Sequence, residues 1–577
     1  MQQTPVPQVG IWQLLFERRD RPFPESHVIF QDGASKTSYT FNDLRIQSEK
    51  FGSALKTQWG FEKGDVLALM SPNCIDTPAV TWGCHYTGGI VAPVNPGLSP
   101  RELQLQLVRS QARGMVVHPS RLSTALEAAK LASLPSDRVL VLGGRDDSGA
   151  GNTTARFIDS ALSDPVGPVH IDPDDVAFLV YSSGTTGLPK GVYLRKHFAV
   201  TEAIWIVLRL SPPGVMISHR NVVADVVLQA AIEGPHVNWS KDRTLAVLPT
   251  YHIYGLICLV HLPVWLGTST IFMEKFDLQT FCRLIREHSI THAYVAPPIV
   301  LHLAKNPSIN GRDLSSLRMI TSGGAPLGEA LIHETYDRWK IPIRQAYGLS
   351  ETTSVSHIQR WDSWNVGIGS NGPVIPGVQA RIVPDSNPSK TAALNEEGEL
   401  WIRGPTVFNG YMDDASSTKA CKTADGWFQT GDIGYEDARG NLHITDRAKD
   451  MIKFKGFQIA PTELEDILIE HPAVRDVAVI GIWNDEMHSE VPLAYLVGKG
   501  GVNETDPDHV ALSVMEYLGQ RVVHYKHLRG GVIWTHQIPK SPSGKILKRA
   551  LRDRVGTVDK GRRILAPEYA RYRSAKL

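Results

Sequence analysis

Val176-Ala-Phe-Leu-Val-Tyr-Ser-Ser-Gly-Thr-Thr-Gly-Leu-Pro-Lys-Gly191 sets an unbroken apolar run against a loop of small residues, hydroxyls and one lysine. The run Val176–Tyr181 predicts a buried strand. The loop after it suits an anion. Glycines such as Gly184 let backbone N–H groups turn inward and approach closely. Ser182, Ser183, Thr185 and Thr186 add hydroxyl donors, and Lys190 adds a point charge. The nucleotide loop of the Gly-x4-Gly-Lys-Ser/Thr kind does not fit. Gly191 follows Lys190, so no hydroxyl stands where that motif holds its magnesium ion.

The same alternation runs outward along the chain. Val66–Met70, Gly89–Pro93, Met115–His118 and Val139–Leu142 read as strands, and a further one is expected over Thr244–Leu248. Phe41–Gln58 and Pro100–Gln111 read as amphipathic helices. Strands alternating with helices predict an α/β fold with parallel sheet. From Asp446 the texture changes. A charged stretch, Asp446–Asp450, precedes a helix over Pro461–Glu470, a strand over Val474–Ile480 and a helix over Asp508–Leu518. A basic tail follows, with 12 Lys and Arg against 3 Asp and Glu from Lys540 to Leu577. The expectation is a large N-terminal domain of layered sheets and helices, residues 1–446, and a small α+β C-terminal domain, residues 447–577, joined by a short polar hinge.

Composition narrows the function classes. At 577 residues the chain exceeds one compact core. Its formal charge of +1 gives no global case for nucleic acid or a membrane surface as partner. Five cysteines (Cys74, Cys84, Cys258, Cys282, Cys421) are scattered without a CxxC. That argues against a disulfide framework or a zinc site and suits a reducing compartment. The most apolar window, Gly255–Gly267, is short and holds a His and a Pro, so it reads as core rather than a membrane span. The N-terminal MQQTPVPQVG lacks the basic-then-apolar pattern of a secretory signal.

Further stretches form a series with the loop. They are Leu248-Pro-Thr-Tyr-His-Ile-Tyr-Gly255, Asp313-Leu-Ser-Ser-Leu-Arg318 with Ser322-Gly-Gly-Ala-Pro-Leu-Gly328, and Gln345-Ala-Tyr-Gly-Leu-Ser-Glu351. Then come Thr430-Gly-Asp432, Asp446-Arg-Ala-Lys449, Lys453-Phe-Lys-Gly-Phe-Gln458 and Pro539-Lys-Ser-Pro-Ser-Gly-Lys545. Each alone is weak. In this order they resemble the acyl- and aryl-CoA ligases of the adenylate-forming superfamily, close to the 4-coumarate–CoA ligases and firefly luciferases. The resemblance covers nearly the whole chain.

It implies a ligase that uses ATP, Mg²⁺ and CoA. A carboxylate attacks the α-phosphate, pyrophosphate leaves, and a thiol then displaces AMP from the acyl-adenylate. By resemblance, Ser182 to Thr186 and Lys190 hold the phosphates, and Lys545 bridges carboxylate and phosphate. Two anions must meet in the first step, so cations are needed there. Glu351 reaches the magnesium ion. Ser350, where the family usually has Thr, keeps a hydroxyl for phosphate. Gln345, Tyr347 and Gly348, with Gly323 and Gly324, form the adenine shelf, and Asp432 and Arg447 hold the ribose. The small domain is mobile and swings about Lys449 for the second step, in which Lys453 and Gln458 take part. Lys275, Lys455 and Gly456 match contacts to CoA. His252 sits at the junction of acyl and phosphate sites. Tyr254, Cys258, Gly323, Gly348, Ser354 and Val355 line the acid pocket, with Ser354 in place of a common proline. The implied substrate is an aryl, arylpropenoic or medium-chain acid. A carrier-loading or luciferase-like outcome, or a weakly active or inactive variant, are the alternatives.

One segment departs from the pattern. The resembled ligases run straight on as PKGVMISH, whereas here Val192–Gly214 intervene and the pattern resumes at Val215. These twenty-three residues are a whole number of codons, and Gly-Val stands at both junctions. An intron beginning GT would read Val at its first codon, so a retained intron is the expectation. The rival is a true lid or membrane-touching helix, but Ala203–Leu208 is apolar throughout and leaves no polar stripe. The C-terminal Ala575-Lys576-Leu577 differs from the peroxisomal address Ser-Lys-Leu only in its first small residue. It implies a peroxisomal location and the import receptor as partner, with the cytoplasm as the alternative.

Overall fold

The computed structural model describes residues 4–143, 152–160, 166–181, 214–384, 389–455, 457–499, 507–541, 544–555, 559, 564 and 565. The chain forms two compact units. The first comprises Met1–Gly324, Thr335–Ala380 and Ile402–Phe428, and the second Ala325–Glu334, Arg381–Trp401 and Gln429–Leu577.

The α/β architecture expected from the sequence is the one found. In the first unit a seven-stranded sheet runs Gly410–Tyr411, Gly214–Ser218, Val176–Tyr181, Ile90–Val94, Val66–Met70, Ala112–Val117 and Val139–Val141. Its pairs from Val176–Tyr181 to Val139–Val141 are parallel. Val66–Met70 is buried at every residue, as a strand covered on both faces must be. An eight-stranded sheet holds Arg243–Ala246, His292–Val295, Met319–Ser322 and Ile343–Tyr347 in parallel. The strand expected over Thr244–Leu248 ends at Ala246, which frees Leu248-Pro-Thr to turn into the loop before His252. The helix Phe41–Trp59 begins at a capping box between Thr40 and Asp43 and stops at Gly60, a left-handed cap with φ of 59°.

Three histidines lie in the core of this unit. His85, His219 and His261 are each at most 1% exposed. Each ring has one nitrogen tied to backbone: His85 Nε2 to the Ala177 carbonyl at 3.1 Å, His261 Nδ1 to the Leu256 carbonyl at 2.8 Å, and His219 Nδ1 to the Ile11 amide at 3.2 Å. Burial keeps all three neutral. It lowers His219 to about 3, His261 to about 4, and His85 well below the ordinary value. The window Gly255–Gly267, expected as core, carries His261 on a wide-turned helical segment, Leu256–His261, buried throughout.

The second unit contains the three-stranded sheet Val474–Asn484, Ser489–Gly498 and Gly531–Trp534. Its alternate residues point to opposite faces, and both faces are covered. Val477, Val479, Leu496 and Val532 pack with Leu464, Leu468, Val514 and Leu518 of the helices Pro461–Ile469 and Pro507–Gly519. Ala478, Ile480, Leu493, Tyr495 and Ile533 pack with Leu551 of the helix Lys548–Val555. This period-two division places two helices on one face and a third on the other. Most of a four-stranded sheet, which includes Phe428–Glu436 and Leu442–Arg447, also belongs here. Among the described residues no helix is long and apolar enough to cross a membrane, and the five cysteines form no disulfide.

Candidate functional site

Ser182 to Lys190, Gly191, residues 192–213, Gly456 and Ala575 to Leu577 lie outside the described residues. The two arms around the phosphate loop lie within them. Val176–Tyr181 and Gly214–Ser218 pair antiparallel, with Tyr181 opposite Gly214 and Val180 opposite Val215. The far arm is held on its other edge as well: the Met412 amide donates to Gly214 at 2.8 Å and the Asn409 amide to Met216 at 3.0 Å. A Cβ at position 214 would meet the Tyr181 ring at 3.3 Å, so glycine suits this place. Ser218 then caps the helix His219–Glu233 in a reciprocal box with Asn221, whose side-chain amide also donates to Pro405 and Val407. The strand turn at the base of the loop is therefore intact, whatever the length of chain between its ends.

The expected nucleotide shelf is a strand end and its turn. Gln345 is buried and donates to the Ser370 carbonyl at 3.1 Å. Tyr347 is half-buried, its ring 6.0 Å from His357. Gly348 touches the next turn so closely that a Cβ would lie 1.4 Å from the Ser354 carbonyl oxygen. Gly324 takes a φ of 84°. Ser350 and Glu351 begin a short 3-10 turn. Tyr411 Oη donates to Glu351 Oε1 at 2.9 Å, and the Phe408 amide donates to the Glu351 carbonyl at 2.9 Å. Tyr411 thus orients the carboxylate expected to meet the metal, a role with no signal in the sequence. Burial and the neighbouring carboxylate push the Tyr411 phenol up. Among the described residues no group of three His, Cys, Asp or Glu could hold a metal unaided.

The residues expected to line the acid pocket are brought together. An added Cβ on Gly323 would meet the Tyr254 ring at 3.2 Å, and Tyr254 Oη donates to the Thr321 carbonyl at 3.2 Å. Cys258 Sγ lies 3.8 Å from Ser354 Oγ. Ser354 adopts φ of 96°, a left-handed value uncommon for a residue with a side chain, beside Thr353 at 55°. Val355 follows, buried. Two residues missed in the sequence complete the cluster. Cys258 Sγ donates to Gln229 Oε1 at 3.4 Å, and Gln229 Nε2 donates to Asp225 Oδ2. A lone acid in Val222-Val-Ala-Asp-Val-Val-Leu228 was the available signal. His252 stands directly before the short turn Ile253–Gly255, its ring 4.7 Å from Tyr251. Lys275, after the strand Ser269–Phe272, is exposed.

In the second unit, Asp432 and Arg447 are direct cross-strand partners, with Arg447 Nε 3.0 Å from Asp432 Oδ1. The acid is 4% exposed and the arginine 35%, so the pair is fixed from below and open at the guanidinium. Lys449 is exposed in the turn that follows. Lys453 and Gln458 face each other in the hairpin Ile452–Phe454 and Phe457–Ile459, both exposed. Lys455 sits at its bend with φ of 46°. Ser489 braces this hairpin. Its hydroxyl donates to the Lys453 carbonyl at 2.9 Å and accepts from the Lys455 amide at 2.8 Å. Lys545 ends a turn in which its amide donates to Ser541 Oγ at 3.1 Å and Gly544 takes φ of 85°.

The sequence pattern of the AMP-binding enzyme family matches residues 16–210 and 211–412, and that of the AMP-binding enzyme C-terminal domain matches 463–545. A 4-coumarate–CoA ligase of Pinus taeda is 36% identical over 91% of this chain and 91% of its own length. The 4-coumarate–CoA ligase 3 of Oryza sativa subsp. japonica is 34% identical over 91% of this chain and 88% of its own. The crystal structure of a benzoate CoA ligase from Burkholderia xenovorans superposes with a TM-score of 0.78 at 20% identity, covering 94% of this chain and 98% of that one. The last likeness concerns the fold, whereas the first three span the sequence from loop to terminal lysine: this chain belongs to the AMP-binding enzyme family.

Proposed function

We propose that the protein is an ATP-dependent acid–CoA ligase that releases AMP and pyrophosphate. The observation that carries this reading is the 36% identity to a 4-coumarate–CoA ligase across both domains of the motif series. In the first step a carboxylate oxygen bonds to the α-phosphorus of ATP and the bond to pyrophosphate breaks. Ser182 to Thr186 and Lys190 cradle the phosphates, and the Lys545 ammonium offsets the charge where the two anions meet. Gln345, Tyr347, Gly348, Gly323 and Gly324 seat the adenine, while Asp432 accepts from ribose hydroxyls beside Arg447. Glu351 would hold a magnesium ion, which when bound would supply positive charge to offset that of the leaving pyrophosphate. One carboxylate oriented by Tyr411, outside any group of three His, Cys, Asp or Glu among the described residues, fits an ion that arrives with its nucleotide. In the second step residues 447–577 swing about Lys449, and the CoA sulfur bonds to the acyl carbon as AMP leaves. Lys453 and Gln458 serve this step, and Lys275, Lys455 and Gly456 contact CoA. His252 stands between the acyl and phosphate sites.

The acid is aryl, arylpropenoic or medium-chain, bound by Tyr254, Cys258, Gly323, Ser354 and Val355. Ala575-Lys576-Leu577 sends the protein to the peroxisome through its import receptor. Residues 192–214 are a retained intron. Removing them would bring Gly191 opposite Tyr181 in place of Gly214 and leave the hairpin register unchanged. The test is release of acyl-CoA from ATP, CoA and a panel of acids, by the full chain and by the chain without 192–214. The expected result is thioester from an aryl or medium-chain acid, faster in the shortened chain. Acyl-adenylate without thioester from either chain would move the reading to another outcome of adenylation. A dominant transcript that keeps codons 192–214 would sink the intron.

A further inference from the structure

Asn73 is a buried amide whose partners all lie far from it in sequence. It follows the strand Val66–Met70 of the seven-stranded sheet, precedes the helix Thr77–Tyr86, and is 5% exposed. Its Nδ2 donates to the carbonyls of Ala246 and Leu248, both at 3.0 Å, and of Met273 at 3.1 Å. Its Oδ1 accepts from the Thr250 amide at 2.9 Å. The group cannot stand the other way round. Its oxygen would then face three carbonyl oxygens, and its nitrogen would face the Thr250 N–H.

The four partners belong to two kinds of backbone. Ala246 ends the strand Arg243–Ala246, and Met273 follows the strand Ser269–Phe272, its parallel neighbour in the eight-stranded sheet. The sheet fixes these two. Leu248 and Thr250 belong instead to the loop that leaves the sheet for His252. Asn73 therefore gauges that loop against the sheet edge. Packing does not back the loop fully: Ser71, Thr250 and Tyr251 help to line a cavity of about 20 Å³, room for about one water. Beyond Thr250 the chain has little slack. The His252 amide donates to the Pro249 carbonyl at 3.2 Å, and the Leu256 amide to the His252 carbonyl at 2.8 Å. A Cβ on Gly255 would lie 2.3 Å from the Pro249 carbonyl oxygen. Where Asn73 sets Leu248 and Thr250, His252 follows.

We propose that Asn73 is a positioning residue for His252. It acts through the backbone: by holding Leu248 and Thr250 to the ends of two strands, it places the imidazole at the junction of the acyl and phosphate sites. This deepens the ligase reading and rests on its assignment of His252. A misplacement of about 1 Å at a reacting site costs on the order of 100-fold in rate. The cavity beside the loop gives room for such a shift once the amide is gone.

A double-mutant cycle on the full chain tests this, read by ATP–pyrophosphate exchange with para-hydroxyphenylpropenoate or octanoate as the acid. Enzyme concentration is raised for the slow variants. Asn73→Ser keeps a hydroxyl but lacks the reach, and should slow exchange about 100-fold. In a His252→Ala background the same change should cost about threefold or less, because a ring that is absent cannot be misplaced. A purely structural role would act alike in both backgrounds, since less folded enzyme lowers both rates equally. If Asn73→Ser does not fold, Asn73→Gln takes its place. It carries the amide one methylene too far out, and its loss should depend on His252 in the same way. Equal losses with and without His252 overturn the proposal, as does an Asn73→Ser or a His252→Ala chain as fast as the original. Failure of both Asn73 variants to fold overturns it too, and makes Asn73 a determinant of the fold. All of these outcomes leave the ligase reading standing. That reading fails separately, when the unaltered chain exchanges with no acid, and the proposal then falls with it.

Discussion

Asp225, Ser354 and the Arg344–Glu233 pair are all at most 4% exposed, whereas Lys449, Lys453, Lys455 and Gln458 stand exposed, and Phe457 beside them is 52% exposed. The first group belongs to one compact unit and the second group to the other. Around the acid cluster, polar side chains are fixed by each other and by packing. Around the hairpin, the backbone is fixed by Ser489 and by Glu490, which accepts from the Lys453 amide at 2.8 Å. A buried cluster discriminates, because each unpaired atom is costly there. An exposed lysine discriminates little, since water serves it equally well, but it is free to approach different partners. Holding such a side chain costs up to about 2 kcal/mol of rotamer entropy, which a ligand must offset.

Acid is the strongest way to break this contrast, because it strikes the first unit through its core. His85, His219 and His261 have folded values below the ordinary 6.5. As pH falls through 6.5 the unfolded chain takes up protons that the folded chain refuses, so stability falls with pH. Each ring should cost about 2 kcal/mol between pH 7 and pH 5. The loss for His219 and His261 levels off near 3 and 4, where the buried rings themselves titrate. Urea melts at both pH values measure it, and equal midpoints would refute the neutral core. Lys545→Ala is the reverse case. It should cut acid-dependent ATP–pyrophosphate exchange by about 100- to 1,000-fold, with the melting temperature unmoved.

Gly348→Ala should destabilise the first unit by about 3 kcal/mol, the upper part of the overpacking range. The new Cβ would have to displace the Ser354 carbonyl. A normal melting temperature in this variant would show that the turn yields. The smallest effect is expected from Lys453→Ala, which should slow thioester formation about tenfold. Adenylate formation and stability should stay as they were, as single-turnover assays of the two steps would show.

The alternation of apolar runs and helices made the sheets of the first unit legible, because strands buried on both faces leave unbroken runs such as Val66–Met70. In the second unit the strand expected over Val474–Ile480 extends to Asn484, while Ala325–Glu334 and Arg381–Trp401, which precede Asp446, join that unit without a signal in the sequence. The motif series named candidate residues for the site. It could not name Tyr411, which reaches Glu351 from sixty residues away, nor Ser489, which serves Lys453 and Lys455 from the next strand. Such pairings are set by register between distant segments. Asp225 went unread for a different reason: its run is apolar on every side, and a single acid in it acquires meaning only when its partners are known.

The pairing of Tyr181 with Gly214 has a thermodynamic consequence. Both ends of the intervening chain are fixed by the same ladder, so added length between them carries a cost in the entropy of closing a loop. Shortening that loop three- to fourfold, as removal of 192–214 would do, changes this by only about 1 kcal/mol. Through this term the melting temperature should barely distinguish the long chain from the short one. The closure term alone would then leave the extra segment nearly invisible to a melt, and a turnover measurement is the sharper comparison of the two chains.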